Sequence, residues 1–150
     1  MKIVVLKFGG TSVGTTEKIK KVADIIIGYS KKNYKVIVVS SAMSGATNDL
    51  ILKSKKISEN FSDAEYDVLV SSGEQVACSL IAGRLIHKGF KSRSWLAWQI
   101  PIITENFHKN SRINKINKNK ILSYLKKGGI PIIAGFQGLN NFNRITTIGR

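Results

Sequence analysis

The chain of 150 residues is long enough for one well-packed domain, and its 43% apolar content indicates a globular protein, not a disordered one. No apolar run approaches the roughly 20 residues of a membrane-spanning helix, and Lys7 and two glycines interrupt the N-terminal apolar stretch. We therefore expect neither a membrane segment nor a signal peptide. The single cysteine, Cys78, cannot form an internal disulfide and fits a reducing, cytoplasmic location.

The net charge is +15, from 24 lysine and arginine residues against 9 acidic residues. This excess alone favours an anionic partner such as nucleic acid. The lysines, however, are scattered and lie mostly within predicted helices, and no arginine-rich arm, RNA-binding aromatic pattern or zinc-ligand spacing accompanies them. We interpret the charge as solvated helix faces, and nucleic-acid binding stays the less favoured interpretation.

Apolar strands alternate with amphipathic helices along the chain. In the first half, the pattern predicts a buried strand ending at Lys7, a helix at 16–30 with Thr16 as N-cap, a strand at 35–39, a helix from about 49, and a helical stretch at 63–86 that is interrupted at 71–74. In the second half, it predicts strands at 90–98 and 100–104, an exposed segment at 109–120, a helix at 119–127 and a strand at 130–134. The chain then ends in a predicted hairpin or loop at 140–150 that enters one more strand. Strands separated by helices imply an open, mainly parallel α/β sheet with right-handed crossovers.

Three loops of small or polar residues follow predicted strands, at 9–13, 40–48 and 135–138. The carboxyl ends of parallel strands meet at one edge of a sheet, where ligands bind. The first loop offers the Lys7 ammonium and backbone amides, and the second offers several hydroxyls. Neither the Walker A spacing nor a Gly-x-Gly-x-x-Gly pattern is present. The residues alone therefore predict a phosphate or small-anion site.

Five segments resemble motifs of the aspartate kinases, within the amino-acid kinase superfamily. In chain order they are Lys7-Phe8-Gly9-Gly10-Thr11-Ser12-Val13, Val39-Ser40-Ser41-Ala42-Met43-Ser44-Gly45-Ala46-Thr47-Asn48, Ser72-Gly73-Glu74, Ala134-Gly135-Phe136-Gln137-Gly138 and Thr146-Thr147-Ile148-Gly149-Arg150. The first motif alone is a weaker match, because related kinases carry similar Lys-x-Gly-Gly openings. The five together, in the family's order, span nearly the whole chain.

The resemblance implies a three-layer α/β/α sandwich with a mainly parallel sheet, of which residues 1–150 are the N-terminal, amino-acid-binding part of the catalytic domain. The implied reaction transfers the ATP γ-phosphate to the β-carboxylate of L-aspartate, with Mg²⁺ carried by the nucleotide. Its product, 4-phospho-L-aspartate, leads towards lysine, threonine and methionine. The family pattern continues past Arg150 with a nucleotide-binding half and regulatory ACT domains, which these 150 residues do not include. Relatives usually self-associate, so the resemblance also implies a homo-oligomer at full length.

The resemblance also assigns roles to eight residues and implies no metal ligand among them. The ATP phosphates are expected at Lys7, Phe8, Gly9 and Gly10, with Lys7 catalytic, and aspartate at Ser41, Thr47, Glu74 and Arg150, with Glu74 taking its ammonium group. An aspartate carboxylate, with a reference pKa of about 3.9, is already a nucleophile at pH 7 and needs no general base. Without the resemblance, Glu74 would be interpreted as a solvated helical carboxylate.

A second interpretation belongs to another class of protein. The chain would then be a truncated, non-catalytic lobe that binds an amino acid without turning over ATP. Calorimetry with aspartate and with ATP separates this interpretation from the kinase.

Overall fold

The computed structural model describes residues 2–149. Its elements, in chain order, are β1 Ile3–Phe8, α1 Thr16–Lys31, β2 Lys35–Ser40, α2 Ala46–Ile57, α3 Asp63–His87, β3 Ser92–Trp95, β4 Ile102–Thr104, β5 Ile113–Ile116, α4 Asn119–Lys126, β6 Ile130–Ala134, β7 Gln137–Leu139 and β8 Ile145–Thr147. Within the described chain, no helix combines the length and the apolar character that crossing a membrane requires.

Four strands form a fully parallel sheet in the order β1-β2-β6-β3. Successive side chains of a strand point to opposite faces, and β2 shows the consequence. Val36 and Val38 are buried in a core shared with α1 and α3, whereas Ile37 packs into a second cluster on the other face. That second cluster contains Ile121 of α4. Helices therefore cover both faces, which confirms the predicted α/β fold with a mainly parallel sheet.

The remaining four strands form a separate, mixed sheet in the order β5-β4-β7-β8. Two of its pairings are antiparallel, β4 with β5 and β7 with β8, and β4 pairs with β7 in parallel. The sequence predicted a hairpin or a loop entering one more strand at the end of the chain, where β7 and β8 pair as a hairpin, but it did not predict this second sheet. Strand β5 lies in the lysine- and asparagine-rich segment that was expected to be exposed, and all four of its residues are exposed. An exposed edge strand has no buried apolar face to give it a sequence pattern.

The structure corrects the prediction that β1 is buried. This strand lies at the edge of the parallel sheet, where β2 is its neighbour, and Ile3 and Val5 are 43% and 59% exposed. Two helix starts also differ from prediction: Thr15, not Thr16, caps α1, and α2 begins at Ala46. An apolar run predicts a strand, but it does not distinguish a central position from an edge.

Helix α3 is continuous through the interruption predicted at residues 71–74. The hydroxyls of Ser71 and Ser72 donate to carbonyls three residues earlier in the same helix. Gly73 lies against the segment after β2, since a Cβ atom there would be 2.8 Å from Ala42 Cβ. The serine hydroxyls are thus satisfied within the helix, and the glycine lets α3 pack closely against the segment after β2.

Candidate functional site

A pocket of about 670 Å³ lies at the carboxyl ends of β1 and β2. It is built by the loop after β1, the loop after β2 with the start of α2, one side chain of α3, and two segments beside the mixed sheet. Its lining residues are Lys7, Gly9, Gly10, Thr11, Ser41, Ala42, Met43, Ser44, Gly45, Thr47, Asn48, Glu74, Phe136, Ile148 and Gly149. The predicted strand-end loops therefore do meet at one edge of the sheet.

The loop after β1 is a tight turn that is pressed against the loop after β2. The carbonyl of Gly9 accepts hydrogen bonds from the amides of Ser12 and Val13, at 2.9 and 3.3 Å. A Cβ atom on Gly10 would lie 3.0 Å from the carbonyl oxygen of Ala42. Glycine at position 10 thus allows this close approach, since a side chain there would push the two loops apart by a few tenths of an ångström. The turn leaves the exposed Lys7 side chain at the pocket.

The loop after β2 delivers the N-terminus of α2 to the pocket. Its first residue is fixed by the Ser41 amide, which donates to the Phe8 carbonyl at 3.0 Å. Gly45 precedes α2 with φ of +83°, a conformation that glycine adopts without strain. Thr47 and Asn48, in the first turn of the helix, line the pocket. The unpaired amides and dipole of a helix N-terminus favour a negatively charged ligand.

Glu74 brings a carboxylate to the same pocket from α3. The residue is only 3% exposed, and its Oε1 accepts a hydrogen bond from the Ala42 amide at 3.0 Å.

Cys78 lies one helical turn after Glu74 and is fully buried. Burial, together with the negative charge of Glu74, raises the pKa of the Cys78 thiol to about 12. Cys78 therefore belongs to the core, as the sequence suggested, and is not a nucleophile near neutral pH.

The far wall of the pocket consists of Phe136, Ile148 and Gly149, which lie in two of the quoted motifs but received no site role from the sequence. Phe136, with φ of +62°, lies between β6 and β7, and its carbonyl accepts a hydrogen bond from the Ile148 amide at 3.0 Å. The Gly149 amide donates to the Ser111 carbonyl at 3.2 Å. The loop at 135–138 was recognised as a strand end, but its lining residue depends on backbone angles that the sequence pattern does not reveal.

The structure brings most of the predicted site residues together. Those that line the pocket are Lys7, Gly9, Gly10, Ser41, Thr47 and Glu74. Phe8 is not among the lining residues, and its side chain packs against the apolar core instead. Arg150 lies outside the described residues. Within residues 2–149, the charged side chains of the lining are Lys7 and Glu74.

Metal binding by protein side chains alone has no support in the described part of the chain. Residues 2–149 contain no group of three or more histidine, cysteine, aspartate or glutamate side chains placed to hold a metal ion. The pocket can therefore contact an anion through one ammonium group, hydroxyls and amides, and a cationic group through one carboxylate.

The pattern of the amino acid kinase family matches residues 2–149. The chain is 48% identical to the aspartokinase of Rickettsia felis over 153 aligned residues, and 46% identical to that of Geobacillus stearothermophilus over 150. Each alignment covers 100% of this chain but 38% and 37% of the relative, so the chain spans little more than a third of their length.

Solved structures agree with this assignment. The aspartate kinase of Synechocystis superposes with a TM-score of 0.81 and 34% identity, covering 100% of this chain and 24% of that one. Aspartokinase III of E. coli, in complex with aspartate and ADP, superposes with a TM-score of 0.84 over 100% of this chain and 44% of that one; its 22% identity supports the fold alone. The chain belongs to the amino acid kinase family, within which it is similar to aspartokinases.

Proposed function

We propose that the protein containing this chain is an aspartate kinase, which transfers the γ-phosphate of ATP to the β-carboxylate of L-aspartate and yields 4-phospho-L-aspartate. This reaction would be the first step towards lysine, threonine and methionine. The observation that carries the proposal is one pocket lined by Lys7 on one strand end and by the buried Glu74 on a helix. The names of the relatives and of the Synechocystis structure support it.

The loop after β1 fits a polyphosphate. Lys7 would contact phosphate oxygens, and Gly9 and Gly10 would let backbone amides approach them. ATP with Mg²⁺, when bound, supplies the phosphoryl group and a cation that offsets the charge on its oxygens. The lining holds one carboxylate, whose Oε1 is already engaged by the Ala42 amide. This donor set fits a metal ion that arrives on the nucleotide, because Mg²⁺ commonly keeps waters and phosphate oxygens as ligands.

The other side of the pocket fits a zwitterionic acid. Glu74 would hold the substrate ammonium, since a buried carboxylate gains most from a cationic partner. Ser41 and Thr47 would donate to a carboxylate, and Arg150 would hold a carboxylate from the end of the segment that begins with β8. These contacts orient the β-carboxylate, which is already ionised at pH 7 and attacks without a general base. Lysine and amides then relieve the repulsion between the two anions.

The proposal extends to the setting of the enzyme. We expect a cytoplasmic protein, because its co-substrate ATP is cytoplasmic, and a homo-oligomer at full length. Neither nucleic acid nor a membrane is a proposed partner.

Lys7→Ala and Glu74→Gln should damage the reaction in different ways in the complete protein expressed from its natural reading frame. We expect Lys7→Ala to lower kcat about 10²- to 10³-fold, the size of a lost transition-state contact to an oxyanion. Glu74→Gln keeps an oxygen for the Ala42 amide but removes the charge, so it should raise the aspartate KM far more than the ATP KM. An assay that traps the acyl phosphate product with hydroxylamine measures kcat and the two KM values of each variant.

Lys35→Ala is the matched control, because Lys35 begins β2 at the opposite end of the parallel sheet. It should leave kcat and both KM values close to those of the unaltered protein. Full activity of Lys7→Ala, or equal effects of Glu74→Gln on the two KM values, would contradict the assigned roles. A protein that binds aspartate in calorimetry but forms no hydroxamate would be the non-catalytic lobe.

A further inference from the structure

Asp67 is a fully buried carboxylate outside the pocket lining. It lies on α3 two turns before Glu74, so one rigid helix carries both acidic residues. Removing a carboxylate from water is costly unless hydrogen bonds replace the lost hydration. The partners of Asp67 therefore indicate what this burial achieves.

The Asp67 carboxylate joins three segments that are far apart in the sequence. The Thr147 hydroxyl donates to its Oδ1 at 2.6 Å, from the last residue of β8. The Lys109 amide donates to both carboxylate oxygens, at 3.1 and 3.0 Å, and His108 Nδ1 lies 2.7 Å from Oδ2. The two oxygens thus fasten α3 to the end of β8 and to the segment before β5.

The residue that Asp67 holds in β8 leads directly into the far wall of the pocket. Ile148 and Gly149 follow Thr147 and line the pocket. The same stretch is supported by Ser111, whose amide donates to the Thr147 carbonyl at 2.9 Å and whose carbonyl accepts from the Gly149 amide. A shift of Thr147 would therefore displace Ile148 and Gly149, which line the same pocket as Glu74.

We propose that Asp67 is a positioning residue for the aspartate site. Through the Thr147 hydroxyl it fixes the backbone of residues 147–149 relative to Glu74, and so it sets the width of the pocket for the amino acid and the starting point of the chain that leads to Arg150. The inference rests on the proposed function. It adds to that function a buried residue that does not line the pocket.

Two neighbouring threonines of β8 allow a matched test in the complete protein. Thr147→Val removes the hydroxyl bound to Asp67 and leaves the bonds of Asp67 to the 108–109 segment. Thr146→Val removes an equally buried hydroxyl of the same strand, which lies 2.7 Å from Thr104 Oγ1 instead. Both variants should lower the melting temperature, Thr147→Val the more of the two, because its lost hydrogen bond leads to a carboxylate and that of Thr146 to a hydroxyl.

The aspartate KM should separate the two variants. We expect Thr147→Val to raise it about tenfold, the effect of one lost hydrogen bond, with the ATP KM nearly unchanged. Thr146→Val should leave both KM values near those of the unaltered protein. Thr147→Ser, which keeps the hydroxyl, should restore the aspartate KM. Asp67→Asn should have the larger effect, and if it does not fold, the threonine pair carries the test.

Equal KM changes in the two valine variants, or a serine variant that behaves like valine, would overturn the role of Asp67 and leave the proposed function standing. If the unaltered protein forms no hydroxamate, the proposed kinase activity is contradicted, but the positioning role of Asp67 can still be tested. Calorimetric aspartate affinity then takes the place of KM: weaker binding by Thr147→Val than by Thr146→Val supports positioning. A protein without aspartate affinity overturns both proposals.

Discussion

The parallel and mixed sheets are held together by different forces. The buried residues of the parallel sheet are mainly valine, isoleucine and alanine, covered by helices on both faces. In and around the mixed sheet, the buried residues are largely polar, and they include Thr104, Ser111, Gln137, Asn140, Thr146 and Thr147. Apart from Asn140, which forms its hydrogen bonds within its own turn, they bond to partners far away in the sequence.

This difference corresponds to the two sides of the pocket. Among the described residues, the charged and hydroxyl groups that we propose to bind substrates, Lys7, Ser41, Thr47 and Glu74, stand at the ends of parallel strands, in the first turn of α2 and on α3, which packs against the parallel sheet. Phe136, Ile148 and Gly149 stand beside the mixed sheet and complete the wall. Apolar burial is non-directional and stabilises a framework, whereas hydrogen bonds fix a segment to within a few tenths of an ångström. Support by hydrogen bonds suits this wall of the pocket, because its exact position decides which ligand the pocket can hold.

The largest expected effect comes from removing apolar volume in the parallel sheet. Ile132, in the central strand β6, is fully buried. Ile132→Ala should lower the free energy of unfolding by about 2–5 kcal/mol, because lost transfer energy and a cavity add together. Urea denaturation measures it, and Ile57→Ala, at a position that is 79% exposed, is the control that should stay within about 0.5 kcal/mol. A small effect at Ile132 would remove the distinction between the sheets.

A smaller loss is expected from an orphaned hydrogen-bond donor beside the mixed sheet. Gln137 accepts from the buried Ala97 amide at 3.1 Å and donates to the Ser71 carbonyl at 3.0 Å. Gln137→Leu should cost about 1–3 kcal/mol of unfolding free energy, since the Ala97 amide loses its partner away from water. Gln99→Leu is the matched control, because Gln99 accepts from the Leu96 amide of the same turn where water can replace it. Equal costs would mean that burial of the donor is unimportant.

The smallest effect is expected when both members of a polar pair in the mixed sheet are replaced. The hydroxyls of Thr104 and Thr146 lie 2.7 Å apart, and both residues are fully buried. Thr104→Val combined with Thr146→Val should change the unfolding free energy by less than about 1 kcal/mol, because no buried hydroxyl is left without a partner. Each single change should cost more than the pair together. A double variant that loses the sum of the singles would argue against this explanation.

Much of the parallel sheet could be predicted because its residues carry their own pattern. The apolar run of β2, the helical stripe of α1 and the buried strand β6 lie at nearly the predicted positions. The three strand-end loops were also recognised, and parallel strands bring such loops to one edge whatever the details of packing. The loops and the family resemblance together therefore predicted one site for Lys7, Ser41, Thr47 and Glu74, although the roles given to them stay predictions.

Periodicity says nothing about groups that bind across long sequence separations. The exposed strand β5 has no apolar face, and Asp67 looks like an ordinary helical carboxylate until Thr147, 80 positions away, is placed beside it. The edge position of β1 and the packing of Phe8 into the core also depend on neighbours that the chain order does not specify.

The sequence by itself thus determined the α/β class, the central strands and the chemistry offered at the edge of the sheet. These features follow from the spacing of apolar residues along the chain, which differs between helices and strands and can be recognised locally. Only the tertiary structure decided the mixed sheet, the far wall and the buried carboxylate that holds it. Those features depend on directional bonds between distant residues, and such bonds exist only once the chain has folded.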